Sequence, residues 1–241
     1  MAAASEPATT ASVVVPARDE PDSLERTLDA LSAQTFDGRL EVIVVASGTT
    51  TLAVARAHRI VDRVVADRTH EGPGAARNRG AAVATGDVLL FTDADTVVPP
   101  AWVRRHRRHY ATPAVVGVGG PLRPLAGGLR HGLLFRLLSD WWYRASWPVG
   151  FVQQPGPNCS VRRSAFEAVG GFDESLSFIE DTDLSLRLRE AGTVVYDHTC
   201  PVATSPRRQE REGYLPLFLA YLAGYLAYAI PGRSPTRDHF S

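Results

Sequence analysis

The stretch Gly86–Thr96, GDVLLFTDADT, constrains this chain more than any other. Four consecutive large apolar residues, Val88-Leu89-Leu90-Phe91, follow a Gly-Asp turn and predict a strand buried on both faces, as in the middle of a parallel sheet. That strand runs straight into Asp93 and Asp95. Open α/β sheets bind ligands beyond the carboxyl ends of their strands, so the two carboxylates fall where a ligand would sit. Neighbouring carboxylates repel one another unless a cation lies between them. An all-oxygen pair suits a hard ion, Mg²⁺ or Mn²⁺, which commonly bridges to phosphate. A turn or a helix cap would also account for an isolated Asp-x-Asp. The strand ahead of the pair favours the ligand.

Upstream, Ser12–Val15 is a β-branched run that Pro16 is expected to stop, leading into the loop Ala17-Arg18-Asp19-Glu20. Leu24, Leu28 and Leu31 recur at helical spacing behind Asp22 or Ser23 as N-cap. A second strand at Leu40–Val45, a turn Ala46-Ser47-Gly48-Thr49, a helix over Thr51–His58 and a strand at Arg63–Ala66 follow. Strands alternating with helices predict a parallel sheet with right-handed crossovers. Gly72-Pro73-Gly74 opens a helix, Ala75–Ala84, whose small residues allow close approach of another backbone or a ligand. Arg77, in its first turns, is placed for a phosphate at the helix N-terminus or is a solvated residue of an outer face.

After the acidic pair, a helix starting at Pro99-Pro100 carries Arg104, Arg105, Arg107 and Arg108 with His106 and His109. Such a run meets anionic lipid or diphosphate, or is simply a wet helix face, and the wet face is preferred. Ala114–Gly119 reads as a further strand. Leu129–Trp147 mixes leucines with Trp141, Trp142, Tyr143 and Trp147 beside Arg130, Arg136 and Arg144; it suits a membrane interface, an acceptor groove or a core helix. A turn into a strand at Gly156–Arg163 precedes Gly170-Gly171-Phe172-Asp173-Glu174. From Asp181, Leu184 and Leu188 define a helix stopped by Gly192. This spacing puts Asp181 on the inward edge and Asp183, Arg187 and Glu190 off it. An acid there is a cap or, turned toward a cleft, a general base. Thr193–Tyr196 is the last clear strand.

The formal net charge is zero, which leaves no global field for nucleic acid. All 26 basic residues are Arg, compatible with a phosphate-bearing ligand because the guanidinium is a planar donor fork. Cys159 and Cys200 lack metal-ligand spacing and read as free buried thiols in a reducing, cytoplasmic setting. Residues 1–10 lack the regions of a signal peptide and read as a mobile tail. Tyr214–Ile230 carries no charge and is interrupted by Pro216 and Gly224, with arginines on both sides. It is short for a span, which needs about 20 apolar residues. An interfacial or re-entrant anchor on the cytoplasmic face is expected, with a dimer-forming helix as the alternative.

Six motifs in order carry a family resemblance: Val13–Glu20; Gln34-Thr35-Phe36 before Glu41–Val45; Gly74–Gly80; Phe91–Asp95; Gly170–Glu174; and Glu180–Leu184. Together they resemble the family 2 glycosyltransferases, enzymes of the GT-A fold, over roughly residues 11–208. The resemblance implies an α/β fold with a mostly parallel central sheet flanked by helices. A nucleotide-binding half and an acceptor-binding half would make up residues 11–210, followed by a hydrophobic C-terminal segment, 211–241. It implies a non-processive, inverting transfer from a nucleotide-sugar donor to a glycan or lipid-linked acceptor, assisted by Mn²⁺ or Mg²⁺. Position by position, Pro16, Ala17, Arg18, Glu20 and Ser47 would hold base and ribose. Arg77 and Ala94 would lie beside the nucleotide. Asp93 would reach ribose or metal, Asp95 would ligate the metal, and Asp181 would act as base with Glu180 beside it.

The chain departs from the family after the second strand, where Ala46 and Thr51 stand in place of acids that grip the base edge. A Q-x-x-R-W pattern of processive members is also missing. Those losses keep a non-catalytic nucleotide-sugar-binding protein in play, and a sugar nucleotidyltransferase shares the metal chemistry.

Overall fold

The computed structural model describes residues 10–69, 71–126, 128–136, 153–176 and 178–229. Ten strands are found among them: β1 (Thr10–Arg18), β2 (Arg39–Ser47), β3 (Arg63–Ala66), β4 (Val88–Phe91), β5 (Thr96–Val97), β6 (Val115–Gly119), β7 (Leu122–Pro124), β8 (Cys159–Arg162), β9 (Thr193–Tyr196) and β10 (Val202–Thr204). Seven form one sheet in the order β3-β2-β1-β4-β8-β6-β9, and β5-β10-β7 form a small second sheet. Within the large sheet only β8 runs against its neighbours, β4 and β6. The expected mostly parallel α/β sheet is therefore present.

Alternation along the strands divides the core in two. Val13 and Val15 of β1, with Val42, Val44 and Leu90, pack under the helices Pro21–Ser32, Thr49–Ala57 and Trp102–His109 through Leu24, Leu28, Ala55 and Trp102. Val14, Ile43, Leu89 and Phe91 face the other way, toward Phe166, Phe172, Leu184 and Leu188. Between these lies the small-residue helix Pro73–Val83. Its closeness to the sheet is concrete: a Cβ on Gly80 would stand 2.3 Å from a Val14 methyl.

Several expectations are corrected. Pro16 does not stop β1, which continues to Arg18 paired with β2. Pairing with β4 ends at Val14, so no ladder bond on that side is required of the Pro16 nitrogen. The first helix begins at Pro21 with Glu20, not Asp22 or Ser23, as its cap residue. Thr193–Tyr196 is not the last strand, because β10 follows and closes the second sheet. Asp183 is buried rather than off the inward face, and an ion pair to Arg187 one turn on compensates the burial. In the helix Trp102–His109, Arg104 and Arg108 are exposed as a wet face requires, whereas His106 is wholly buried.

The C-terminal helix runs over Tyr214–Ala229. Its Tyr221 ring lies 4.3 Å from that of Phe178, and a Cβ on Gly224 would come within 3.3 Å of the same ring. No helix of the described residues is long and apolar enough to cross a membrane. The tryptophan-rich stretch Trp141–Trp147 lies outside the described residues, as do residues 1–9 and the end of the chain from 230.

Candidate active site

The carboxyl ends of β1, β2, β3 and β4 open on one cavity of about 270 Å³. Pro16, Ala17 and Arg18 line it from β1 and Glu20 from just beyond, Val45 from β2, Asp67 from just after β3, and Asp93, Ala94 and Asp95 from the loop after β4. Gly72 and Pro73, at the start of the small-residue helix, complete the wall. The acidic pair thus sits at the strand ends, as the rule for open sheets requires. Of the other singled-out residues, Ser47, Arg77, Glu180 and Asp181 do not line this cavity. Ser47 is buried at the end of β2. Asp67, the residue after β3, is a lining residue that the sequence reading does not single out: it lacks the second acid that marks Asp93 and Asp95, and it is paired with Arg79 at 2.8 Å.

Arg77 joins the cavity to the Glu180–Ala191 helix. It is only 3% exposed and donates from Nη2 to Asp93 Oδ1 and from Nη1 to Glu180 Oε1, both at 2.8 Å. Its guanidinium also lies 5.5 Å from the centre of the Phe172 ring. Burial works against the charge, but the carboxylates of Asp93 and Glu180 outweigh it and hold Arg77 protonated. The solvated alternative for Arg77 gives way to this bridge, which commits its guanidinium to two carboxylates.

Asp181 opens the helix differently. Its Oδ2 accepts from the Gly156 N–H at 2.9 Å and its Oδ1 from the Thr182 N–H at 2.7 Å. Burial, then the neighbouring charge of Glu180, pushes its carboxyl up to about 6, against the pull of the Gly156 amide and of Arg77. Glu180 is engaged by Arg77, so of the two acids Asp181 is the one free of an arginine partner among the described contacts. Just before them, Ile179 adopts a left-handed conformation, φ 60°. For a β-branched residue this costs on the order of 1–3 kcal/mol and is found where local geometry is over-determined.

At the other end, Arg207 spans Glu20 Oε2 at 2.7 Å and Asp95 Oδ2 at 2.8 Å. Burial raises the Asp95 carboxyl despite the Arg207 bond, and the nearby Asp93 charge raises it further. Glu20 is raised by burial as well. Thr51, where family members carry an acid, is 1% exposed and accepts from the Glu20 N–H at 3.1 Å, so it supports the loop from beneath.

The donor set fits a hard divalent cation. Asp93 and Asp95 offer carboxylate oxygens at the cavity, and a cation would offset the burial, and after it the Asp93 charge, that raise Asp95. No group of three or more His, Cys, Asp or Glu able to hold an ion occurs among the described residues. Two carboxylates alone would hold an ion only together with waters or substrate phosphates. Arg207 occupies Asp95 Oδ2, so an incoming ion meets a competitor there.

Residues 12–169 match the family described as Glycosyl transferase family 2. The pre-mycofactocin glycosyltransferase of Mycobacterium tuberculosis is 31% identical over 217 residues, covering 83% of this chain and 43% of that protein. The O-antigen biosynthesis protein RfbC of Myxococcus xanthus is 30% identical, covering 75% of this chain and 16% of that protein. The chain thus spans less than half the length of these curated relatives. In fold it is similar to the mannosyltransferase PcManGT from Pyrobaculum calidifontis, solved with GDP-Man and Mn²⁺, at TM-score 0.66 and 21% identity over 93% of this chain and 66% of that one. Residues 1–349 of S. aureus TarS give TM-score 0.62 at 17% identity, over 89% of this chain and 65% of that chain. The chain belongs to glycosyl transferase family 2.

Proposed function

We propose that this protein transfers a sugar from a nucleotide-diphosphate donor to an acceptor hydroxyl, with inversion and a single transfer per encounter. The observation that carries the reading is the Arg77 bridge, which ties the cavity holding Asp93 and Asp95 to the helix start holding Asp181. Pro16, Ala17, Arg18 and Glu20 then receive base and ribose at the cavity wall, with Ser47 behind the loop and Asp93 and Ala94 on the ribose side. Arg77 acts through Asp93, fixing its carboxylate rather than touching the nucleotide. A divalent cation at Asp95, shared with Asp93, would supply Lewis-acid stabilisation of the diphosphate leaving group. Asp181 takes the acceptor proton as the hydroxyl attacks, with Glu180 held beside it. A carboxyl near pH 6 is suited to that task, being ionised at neutral pH yet basic enough to bind a proton.

Turnover of a panel of nucleotide sugars with Mn²⁺ or Mg²⁺, in the wild type and in Asp95→Ala, tests the reading. Undiminished transfer by Asp95→Ala would remove the cation from Asp95. The buried Thr51 and the apolar Ala46 favour a second reading, a nucleotide-sugar-binding protein without turnover. Calorimetric donor binding with no transfer to a broad acceptor panel would establish it.

The acceptor we favour is lipid-linked or membrane-proximal, reached from the cytoplasmic face, with residues 11–210 as the catalytic unit and 211–241 facing the membrane. Leu215 and Leu219, 66% and 52% exposed, stand on the C-terminal helix behind the exposed Arg211, a pattern that suits an anionic interface. Removing the residues after Arg211 should release the protein from anionic vesicles on flotation; unchanged partition would reject this part.

A further inference from the structure

We propose that Trp102, His106 and Asn158 form a positioning device that holds the Gly156 amide against Asp181. The proposal rests on the reading of Asp181 as the base and adds residues from the opposite face of the sheet to its setting.

Asn158 is fully buried, and its side chain is satisfied at every position that matters. Nδ2 donates to the Pro121 and Cys200 carbonyls at 3.1 and 2.9 Å. Oδ1 therefore faces Trp102, whose indole N–H can only donate, at 2.8 Å. The same oxygen takes His106 Nε2 at 3.1 Å, which makes Nε2 the protonated nitrogen. His106 Nδ1 must then accept, and it lies 2.8 Å from Ser160 Oγ. Ser160 in turn lies 2.8 Å from the Tyr110 hydroxyl, which is left to donate. Each proton in the chain has one direction. Burial also pushes His106 down to about 4, so the ring stays neutral at working pH and this single arrangement persists.

The network ends on a turn. The Asn158 N–H donates to Pro155 O at 2.8 Å and its own carbonyl accepts from the Gly120 N–H at 3.2 Å. Between Pro155 and Asn158 stands Gly156, whose amide meets Asp181 Oδ2. The turn packs closely against the Arg77 guanidinium: a Cβ on Gly156 would lie 2.8 Å from Nη2. The turn is thus fixed from below by Asn158 and bounded from above by Arg77. Buried polar networks fully satisfied in this way rigidify and specify one geometry.

Other groups also act on the Asp181 carboxylate. Glu180 stands on its own helix, Arg77 on the small-residue helix, Cys159 on β8, and the phenols of Tyr221 and Tyr225 on the C-terminal helix. The Gly156 amide favours the charged form of Asp181, so loosening it raises the carboxyl's titration point.

The test titrates the Asp181 side-chain carbon by NMR in wild type, Asn158→Ala and Trp102→Phe, alongside the pH dependence of kcat. In Asn158→Ala the midpoint should rise by ~0.5–1 pH unit, and less in Trp102→Phe. The acid limb of kcat should move by the same amount, with donor KM changed less than about two-fold. A purely structural role would lower Tm and leave both midpoints in place, which overturns the proposal. Should Asn158→Ala fail to fold, Trp102→Phe removes the indole N–H from Asn158 together with part of the ring, and carries the measurement, its packing loss being read separately in Tm. If Asp181→Asn still turns over donor, the base reading falls alone, because the NMR titration decides the positioning independently of catalysis.

Discussion

Two arginines hold the site's carboxylates, and they do so in opposite ways. Arg77 is 3% exposed and locked at 2.8 Å to Asp93 and to Glu180. Arg207 makes contacts just as short, to Glu20 and Asp95, yet its side chain is 54% exposed. The Coulomb attraction is similar at equal distance, so the difference lies in what surrounds it. A buried pair cannot exchange its partners for water, and deleting one member strands the other; an exposed pair exchanges freely and contributes little. Arg77 is therefore architecture and Arg207 a replaceable occupant. The acid at the inner end, Asp181, is set by its surroundings, whereas the acid at the open end, Asp95, is held by an exposed arginine that can be displaced.

The largest expected effect breaks the buried end. Asp181→Asn should lower kcat by ~10²–10⁴-fold with donor affinity retained. The pH dependence of stability should change as well. The folded-state carboxyl titrates near 6, above its unfolded value, so the folded protein binds the extra proton between about pH 4 and pH 6 and loses stability as pH rises through that window. Asparagine cannot titrate, so the loss of stability between pH 5 and pH 7 should disappear; its NH2 would meet one of the two amide donors that Asp181 accepts from, so no gain in Tm at pH 7 is expected. Isothermal calorimetry, initial rates and thermal melts at pH 5 and pH 7 check the three parts. Unchanged kcat, or the same fall in Tm from pH 5 to pH 7 as in wild type, would contradict the setting assigned to Asp181.

Next comes the bridge itself. Arg77→Met keeps much of the stem but leaves Glu180 buried without its partner, and should destabilise the fold by ~3–5 kcal/mol in urea unfolding. Donor binding should weaken as well, since Asp93 loses its fixed rotamer. A loss below about 1 kcal/mol would place Arg77 with the exposed pairs.

How much of this was legible before the structure follows the same division. The strand Val88–Phe91 and the acids at its end were readable because they are local: apolar run, strand, strand end. Glu180 and Asp181 at a helix start were readable for the same reason. Partners were not. Arg77 and Glu180 are 103 residues apart, and Arg207 and Asp95 are 112 apart, so no spacing in the sequence links them. Thr51 looked like a missing acid, and only the fold shows it supporting the Glu20 amide. Asp183 looked solvent-facing by periodicity until Arg187 compensated its burial. Pro16 looked like a strand end because the sequence does not say which edge of β1 lacks a partner at that point.

The smallest effect is the sharpest test of the contrast. Arg207→Gln should change stability by less than about 1 kcal/mol, as exposed pairs do. It should nevertheless leave Glu20 and Asp95, with Asp93 close by, without their counter-charge. The ligand-free variant should therefore bind Mn²⁺ more tightly than wild type, by a few-fold, as an exposed unit charge at this range is worth ~1 kcal/mol. Mn²⁺ titration followed by electron paramagnetic resonance reads this directly, without turnover. High salt should shrink the difference, because the interaction is screened at an exposed site. Weaker Mn²⁺ binding in Arg207→Gln would mean that Arg207 organises the acids rather than competing for them. The open end would then be built like the buried one.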